Sequence, residues 1–358
     1  MSGRFSVTYR IRADAAGIEA RARGVAVEQS VEMPVEAIDD PAVLSDIVGV
    51  VEAIEPVGDG LFSVRIGLAV DTIGTDAGQF MNMLFGNTSL QDDVFLHDVD
   101  MPPLFGGVRQ GLKALRSRLG VAGRAFTGSA LKPLGMPVER LAVLAERFAL
   151  GGLDFIKDDH GLADQRYSPF AARVPAVAEA VARAVRLTGH PTRYIPSLSG
   201  NLDTMRDQLR LARECGLDCA MLAPTIAGFS TMRSLADAFP DVVLFAHPAL
   251  GGAARIAPDL LIGKLFPAFG AGGAIFPSYG GRFGYSEATC HRLADNARAA
   301  DSLPIPAGGM TLARTTEILD FYGPDTMLLI GGNLLAARDA IAEEAARFAK
   351  VVADHPYT

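Results

Sequence analysis

A lysine, two aspartates and a histidine occupy residues 157–160, directly after the mostly apolar run LDFI at residues 153–156. Burying such groups without partners is costly, so they must pair with one another, lie at a rim open to solvent or hold a metal ion. Asp159 offers oxygen and His160 a ring nitrogen to a metal, whereas Lys157 becomes a ligand only when carbamylation turns its amine into a carboxylate. A salt-bridge cluster at the end of a strand is the structural alternative.

Two lysines are candidates for a general base. Burial and a neighbouring cation lower the pKa of an amine toward neutrality, and both Lys132 and Lys157 follow apolar runs. An uncharged lysine can remove a proton from a carbon next to a carbonyl. His247 also ends an apolar run, where it could shuttle protons or bind a substrate hydroxyl, or serve structure alone.

Paired glycines end two further apolar runs, at Gly308 and Gly309 in PAGGM and at Gly331 and Gly332 in IGGN. Glycine lets backbone amides approach an oxyanion closely, and a following helix adds partial positive charge. These pairs predict phosphate-binding turns and therefore a phosphorylated small-molecule substrate. Tight turns between strand and helix are the alternative explanation.

A unit of one short apolar strand and one amphipathic helix recurs eight times after Arg124. The strands are predicted at residues 125–131, 153–158, 193–198, 219–224, 242–247, 274–278, 303–307 and 326–330. Eight such units in this length predict a (β/α)8 TIM barrel over residues 120–358, with its active site at the carboxyl ends of the strands. The polar candidates at these strand ends are Lys132, Lys157, Asp159, His160, His247, Ser278, Arg282 and Asn333.

The first part of the chain has a different pattern. Strands are predicted at residues 5–12, 48–55, 61–70 and 94–99, with helices at 18–31 and 77–85. The order strand, helix, strand, strand, helix, strand is typical of a ferredoxin-like α+β domain, which we assign to residues 1–119. Residues 106–120 are expected to form a connecting helix.

Composition excludes several classes of protein. The net charge is −8 and no basic block is present, which argues against nucleic acid as a partner. Three cysteines in a chain of 358 residues fit a reducing compartment better than a disulfide framework. No signal peptide or membrane-spanning run is recognisable, so we expect a cytoplasmic protein without a membrane partner.

The stretch GGLDFIKDDH at residues 151–160 resembles the metal-binding signature GGLDF-x-KDDE of ribulose-bisphosphate carboxylase (RuBisCO) and the RuBisCO-like proteins. Further similar stretches follow the order of that family and span most of the chain. They are LFGN at 84–87, ALKPLGM at 130–136, LFAH at 244–247, AGGM at 307–310 and IGGN at 330–333.

The resemblance implies roles for individual residues. Lys157 matches the lysine that becomes carbamylated and Asp159 a carboxylate ligand of Mg²⁺, while His160 stands where the family has its glutamate ligand. His247 matches a histidine that contacts substrate, and the glycine pairs match phosphate-binding turns. Asn87 would reach from one subunit into the barrel of its partner, which implies a homodimer with sites at the interface. No nucleotide or flavin cofactor is expected.

The departures from the family indicate a member that does not fix carbon dioxide. One lysine, Lys132, stands where carboxylases have two, and the loop after the sixth barrel strand lacks its lysine, with Arg282 the nearest substitute. Pro248 and Pro277 replace an arginine and a histidine. We therefore predict a RuBisCO-like (form IV) enzyme that enolises a phosphorylated, sugar-derived carbonyl compound and then isomerises, tautomerises or decarboxylates it. The alternative is a catalytically retired barrel that binds a phosphorylated ligand or regulates another protein.

Overall fold

A computed structural model describes residues 3–357 of the chain. Their contacts form two compact units. One comprises the chain up to Gly106 together with Leu250–Leu261, and the other comprises Gly107–Ala249 and the chain from Ile262 onward. The domain limits predicted from the sequence, 1–119 and 120–358, stay a prediction.

The first unit is built on a four-stranded antiparallel sheet. Its elements are β1 (Arg4–Arg12), α1 (Ile18–Glu28), β2 (Val50–Gly58), β3 (Leu61–Ala69), α2 (Ala77–Phe85) and β4 (Val94–Val99). In β1 every second residue from Phe5 to Ile11 is buried, as the alternation of apolar and polar residues requires. The strand order β2-β3-β1-β4 is that of a ferredoxin-like domain, which confirms the predicted fold of this part.

The second unit contains eight parallel strands in two sheets, with orders β11-β10-β9-β8 and β12-β5-β6-β7. The strands are β5 (Phe126–Leu131), β6 (Phe155–Asp158), β7 (Arg193–Ile195), β8 (Cys219–Leu222), β9 (Val243–Ala246), β10 (Ala271–Pro277), β11 (Leu303–Ala307) and β12 (Met327–Leu329). β7 also lies beside β8 and β11 beside β12, so the two sheets close into one barrel. The predicted (β/α)8 fold is therefore confirmed.

The two seams between the sheets have different chemistry. Beyond the end of β7, the backbone of Met221 donates to the carbonyl of Pro196 at 2.8 Å and accepts from the amide of Leu198 at 2.7 Å. In β11, Pro304 and Pro306 have no amide hydrogen. These two residues therefore cannot donate backbone hydrogen bonds to β12. The Thr326 hydroxyl instead donates to the Pro304 carbonyl at 3.0 Å.

Helices cover the outside of the barrel. From Gly107 the helices along the chain are α3 (Leu112–Leu119), α4 (Val138–Leu150), α5 (Phe170–Thr188), α6 (Leu202–Glu214), α7 (Pro224–Ala227), α8 (Phe229–Ala238), α9 (Pro258–Leu260), α10 (Phe266–Ala268), α11 (Glu287–Ala299), α12 (Thr315–Tyr322), α13 (Gly332–Leu335) and α14 (Ile341–Asp354), of which α9 belongs to the first unit. The apolar pattern predicts one helix over residues 334–352, but the chain breaks between α13 and α14. Arg338 there has a φ of 51°, which an α-helix cannot contain.

The barrel interior is filled with apolar side chains. Phe155 of β6 packs edge-on against Phe126 and Phe245, with ring centroids 5.4 Å and 6.0 Å away. Leu112, Leu115 and Leu119 of α3 belong to the same buried cluster. The interior is thus a packed core rather than a channel. None of the helices within residues 3–357 is long and apolar enough to cross a membrane.

Candidate active site

Strand β6 directs its side chains alternately to the two sides of the barrel wall. Phe155 belongs to the apolar cluster inside the barrel, so Lys157, two residues further on, points to the same inner side. Asp158 faces the opposite side, where Arg173 of α5 contacts it. The lysine and the first aspartate of the KDDH stretch therefore have separate surroundings.

Lys157 is buried, with 6% of its surface exposed. Its amine donates to the backbone carbonyl of Asp158 at 2.8 Å. Burial, followed by repulsion from Lys132, lowers the pKa of Lys157 to about 7, although the Asp158 carboxylate opposes this shift. A lysine with such a pKa is partly uncharged at neutral pH, which is the state that a general base requires.

Asp158 is a structural anchor rather than part of the rim. Its carboxylate accepts hydrogen bonds from Arg173 at 3.2 Å, from the Ser197 amide at 3.0 Å and from the Tyr194 hydroxyl at 2.8 Å. Burial raises the pKa of Asp158, while these three partners oppose the rise. Arg173 is itself fully buried. The carboxylate thus ties β6 to α5 and to the end of β7, a partnership that the sequence pattern did not reveal.

Asp159 links the two remaining parts of the cluster. One of its oxygens forms an ion pair with the amine of Lys132, and the other lies 2.9 Å from Nδ1 of His160. Burial, followed by the charge of Arg282, lowers the pKa of Lys132. Its ion pair with the Asp159 carboxylate favours the charged form of the amine. The two lysines, equivalent candidates in the sequence, are therefore distinct: Lys132 is ion-paired and Lys157 is bound to a backbone carbonyl.

Two histidines from different strand ends lie face to face. The rings of His160 and His247 are stacked, with centroids 4.2 Å apart and planes inclined by 7°. Burial, followed by the charges of Lys157, His160 and Lys132, lowers the pKa of His247 to about 2. Burial and the same two lysines also lower the pKa of His160. Two imidazoles that favour the uncharged state thus border the lysine cluster.

The turn after β11 needs both of its glycines. Gly308 and Gly309 have φ values of 86° and 103°, in the region that favours glycine. A Cβ atom on Gly308 would lie 2.8 Å from the ring of Phe283 and one on Gly309 would lie 3.1 Å from Arg282. The amide of Arg282 donates to the Gly308 carbonyl at 3.0 Å. The loop after β10 therefore packs on this turn and brings Arg282 beside it.

The turn after β12 is more open. No atom outside the turn lies within 4 Å of where a Cβ would stand on Gly331 or Gly332. The side-chain oxygen of Asn333 accepts the amide of Leu312 at 2.9 Å, which fixes this turn to the loop that follows β11. In the structure, Asn333 therefore positions the glycine turns relative to each other.

Two predicted residues have partners other than the lysines and histidines of the cluster. Ser278 is 1% exposed and its hydroxyl lies 3.2 Å from that of Tyr322, so the structure does not bring it to the open rim. Asn87 lies in the first unit, where its side-chain amide donates to Glu32 at 2.6 Å. The sequence does not predict a role for Glu32, because one glutamate among many carries no signal of its own.

The unmodified side chains do not fit the Mg²⁺ site that the resemblance implies. Mg²⁺ requires near-octahedral oxygen ligands. Within residues 3–357, no group of three or more His, Cys, Asp or Glu side chains is placed to hold a metal. Asp158 is engaged by Arg173 and Asp159 by Lys132. Only carbamylation of Lys157 would add oxygen ligands, and without it the cluster is cationic and suits an anion better.

Known proteins resemble the chain over nearly its whole length. Residues 111–259 match the family model described as "Ribulose bisphosphate carboxylase large chain, catalytic domain". A protein of Rhodospirillum rubrum named 5-methylthioribulose-1-phosphate isomerase is 57% identical, over 99% of this chain and 97% of the relative.

Two further proteins extend the comparison. The crystal structure of a RuBisCO-like protein from Rhodopseudomonas palustris superposes with a TM-score of 0.93 at 46% identity, over 100% of both chains. A protein of Microcystis aeruginosa named 2,3-diketo-5-methylthiopentyl-1-phosphate enolase is 26% identical, over 82% of this chain and 77% of the relative.

Proposed function

Because the chain belongs to the ribulose bisphosphate carboxylase large-chain family as a RuBisCO-like protein, we propose that it isomerises a phosphorylated ketose by lysine-assisted enolisation. It is an enolising member of the family and not a carboxylase, as the departures at Lys132 and Arg282 predicted. The assignment of the reacting groups and of the substrate is our proposal.

The position of Lys157 is the observation that carries the proposal. Its side chain lies on the inner side of the barrel at the carboxyl end of β6, where active sites of this fold lie. Its amine donates to a backbone carbonyl, whereas Lys132 is paired with Asp159. Of the two lysines, Lys157 is therefore the one free to take up a proton.

The chemistry follows from this arrangement. The amine of Lys157 removes the proton from a carbon next to the carbonyl, the C–H electron pair forms the new C=C bond and the carbonyl π pair moves to oxygen. Lys132, held as a cation by Asp159, and His247 stabilise the negative charge on that oxygen. The Lys157 ammonium then gives its proton to the former carbonyl carbon, which takes the C=C π pair. The hydroxyl proton of the adjacent carbon passes to the charged oxygen, and the O–H bond pair becomes the new C=O bond, which completes an isomerisation.

The phosphate of the substrate is assigned to the two glycine turns. Backbone amides at Gly308, Gly309, Gly331 and Gly332 can approach an oxyanion closely, and Arg282 supplies positive charge beside the first turn. In this proposal Asn333 and Ser278 support the site indirectly, through their contacts with Leu312 and Tyr322.

The relatives indicate the class of substrate. The Rhodospirillum rubrum protein is named for 5-methylthioribulose 1-phosphate. A ribulose has a carbonyl with a hydroxyl-bearing carbon beside it, which is the arrangement that enolisation through Lys157 requires. We propose 5-methylthioribulose 1-phosphate or a similar ketose phosphate as substrate of this chain.

Two finer features complete the proposal. We propose a homodimer in which Asn87, with Glu32 bound to it, reaches the barrel of the partner subunit, as the family resemblance implies. The Mg²⁺ site at Lys157, Asp159 and His160 that the resemblance implies would require carbamylation of Lys157, and it is not part of the reaction proposed here, in which that amine is unmodified.

The experiment is solvent deuterium exchange into 5-methylthioribulose 1-phosphate, followed by NMR. We expect the wild-type protein to exchange the proton next to the carbonyl, and Lys157→Met to lower the rate by about 10³-fold. Lys350→Met, which removes an exposed lysine of α14, serves as the matched control and should leave the rate unchanged. Binding without exchange by the wild-type protein would establish the retired-barrel alternative, and full exchange by Lys157→Met would remove Lys157 as the base.

A further inference from the structure

Ser197 follows strand β7 on the inner side of the barrel wall. Ile195, two residues before it, belongs to the apolar cluster inside the barrel, and the alternation of an extended chain puts Ser197 on the same side. Met221 of β8 pairs with Ser197 in parallel register and belongs to the same cluster. The Ser197 side chain therefore lies above the apolar core, at the mouth of the barrel.

The hydroxyl of Ser197 is a hydrogen-bonding group that the fold leaves available. The residue is nearly buried, with 4% of its surface exposed. No other group among residues 3–357 forms a hydrogen bond with this hydroxyl, although the Ser197 amide is bound. A hydroxyl in such surroundings gains free energy from a ligand that supplies a partner.

Asp158 holds Ser197 close to Lys157. Its carboxylate accepts the Ser197 amide at 3.0 Å, and its backbone carbonyl accepts the Lys157 amine at 2.8 Å. Lys157 pairs with Ile195 of β7, so Ser197 lies two residues further toward the mouth on the adjacent strand. The spacing and rise of strands place the Cα atoms of Lys157 and Ser197 about 8 Å apart. The amine and the hydroxyl therefore face the same part of a substrate.

The proposed phosphate turns lie across the mouth from Ser197. Strand β11 is four strands from β7 in either direction around the barrel, which is the opposite side of an eight-stranded barrel. A ketose phosphate held at Gly308 and Gly309 by its phosphate therefore extends toward Lys157 and Ser197. In 5-methylthioribulose 1-phosphate the phosphate is on C1, the carbonyl is C2 and the next carbon, C3, bears a hydroxyl. This hydroxyl is the first that the ligand presents beyond its carbonyl.

We propose that Ser197 binds the hydroxyl on C3 of the substrate and thereby selects ketose phosphates that carry it. A serine hydroxyl both donates and accepts, so it can hydrogen-bond to another hydroxyl, whereas a ligand with only hydrogen at C3 would leave it without a partner. The inference rests on the ketose phosphate substrate of the proposed function. It requires the place of Lys157 at the mouth and not the protonation state of that lysine, and Ser197 itself transfers no proton.

The test uses two ligands that bind without reacting. 5-Methylthioribitol 1-phosphate has a hydroxyl in place of the carbonyl, and its 3-deoxy form also lacks the hydroxyl on C3, so neither can be enolised. Calorimetric titration measures the dissociation constant of each ligand for the wild type and for Ser197→Ala. We expect the wild-type protein to bind the 3-deoxy ligand about tenfold more weakly than the full ligand. Ser197→Ala should bind the two ligands with dissociation constants within about twofold of each other.

Ser129 provides a matched control. It lies in β5, is fully buried, and its hydroxyl likewise has no hydrogen-bond partner among residues 3–357. It pairs with Ile156, which lies between the inward-facing Phe155 and Lys157, so the Ser129 side chain points to the helix side of the wall. Ser129→Ala should keep the wild-type preference between the two ligands. Urea denaturation verifies that Ser129→Ala and Ser197→Ala are folded.

Two results would overturn the inference. Equal binding of the two ligands by the wild-type protein would show that the hydroxyl on C3 is not recognised. A tenfold preference that persists in Ser197→Ala would assign the recognition to another group.

Failure of the proposed function has a different signature. Absence of deuterium exchange in a wild-type protein that keeps the tenfold preference would refute the enolisation and leave Ser197 as the binding residue. Wild-type protein that binds neither ligand would refute the ketose phosphate substrate, and the inference with it.

Discussion

The two ends of strand β6 carry charge in different ways. At the amino end, buried Asp154 accepts two hydrogen bonds from Arg124, both at 2.8 Å, and one from the Thr127 amide at 2.8 Å. His190 lies 3.2 Å from the same carboxylate. Burial raises the pKa of Asp154, but the hydrogen bonds of Arg124 and His190 outweigh it, so the pKa is lowered. Here the charges compensate each other.

At the carboxyl end, positive charge exceeds the negative charge available to it. The charge of Arg282 lowers the pKa of Lys132, that of Lys132 lowers the pKa of Lys157, and Asp159 is the carboxylate paired with Lys132. Compensated buried charge stabilises a fold, whereas uncompensated charge lowers stability and is retained where it serves chemistry. The amino end of β6 therefore belongs to the part of the barrel that maintains structure, and the carboxyl end to the part that reacts.

Removal of the amino-end carboxylate should produce the largest loss of stability. We expect Asp154→Asn to lower the free energy of unfolding by about 3 kcal/mol, because Arg124 loses its charged partner in a mostly buried position. Urea denaturation measures this change. The deuterium exchange rate of the folded variant should equal that of the wild-type protein, and a selective loss of exchange would contradict the division between the two ends.

Asp154 should also make the free energy of unfolding depend on pH in the acid range. The pKa of Asp154 is lower in the folded chain than its ordinary value of 3.8, so its stabilising effect is present above that value and is lost as pH falls through the folded pKa. The difference in unfolding free energy between wild type and Asp154→Asn should therefore be largest above about pH 5 and shrink toward acid. A difference that stays constant with pH would show that the charge of Asp154 is not what stabilises this end.

At the carboxyl end the effect on stability should have the opposite sign. Lys157→Met replaces a buried amine by an apolar side chain of similar length, so we expect the free energy of unfolding at neutral pH to rise by about 2 kcal/mol. Urea denaturation of Lys157→Met and Asp154→Asn under the same conditions compares their free energies of unfolding. A loss of stability as large as that of Asp154→Asn would assign Lys157 a structural role.

The smallest expected effect concerns metal binding. His160→Glu places a carboxylate beside Asp159, and we expect the affinity for Mg²⁺ to rise about fivefold, equivalent to about 1 kcal/mol. Calorimetric titration with Mg²⁺ alone measures it, with Asp154→Asn as the variant that should bind as the wild type does. An unchanged affinity would mean that the ion pair between Lys132 and Asp159, rather than the imidazole, keeps the metal away.

The spacing of apolar residues in the sequence predicts most of the fold. Eight apolar runs predicted eight barrel strands, and the alternation from Phe5 to Ile11 predicted the first strand of the antiparallel sheet. The pattern does not predict the break at Arg338, because the residues around it favour a helix and only the observed φ reveals the end. Local pattern therefore determined the elements but not every boundary.

The sequence predicts where the residues of the candidate site lie in the fold, but not which of them contact one another. The location of Lys157 at a strand end followed from the strand count. Its distinction from Lys132 depends on which amine meets Asp159, a contact between β5 and β6 that no spacing encodes. The burial of Ser278 against Tyr322 and the stacking of His160 on His247 likewise join residues far apart in the chain.

Lys157 and Asp158 point to opposite sides of the barrel wall. The residues on the rim can therefore change in evolution independently of those that attach the strand to the helices. Asp158 contacts Arg173 on the helix side, so a change at position 160 on the rim leaves that attachment intact. The reaction can be altered without loosening the strand that presents it. A barrel of this kind can acquire a new activity by substitution at its mouth while its wall remains the same.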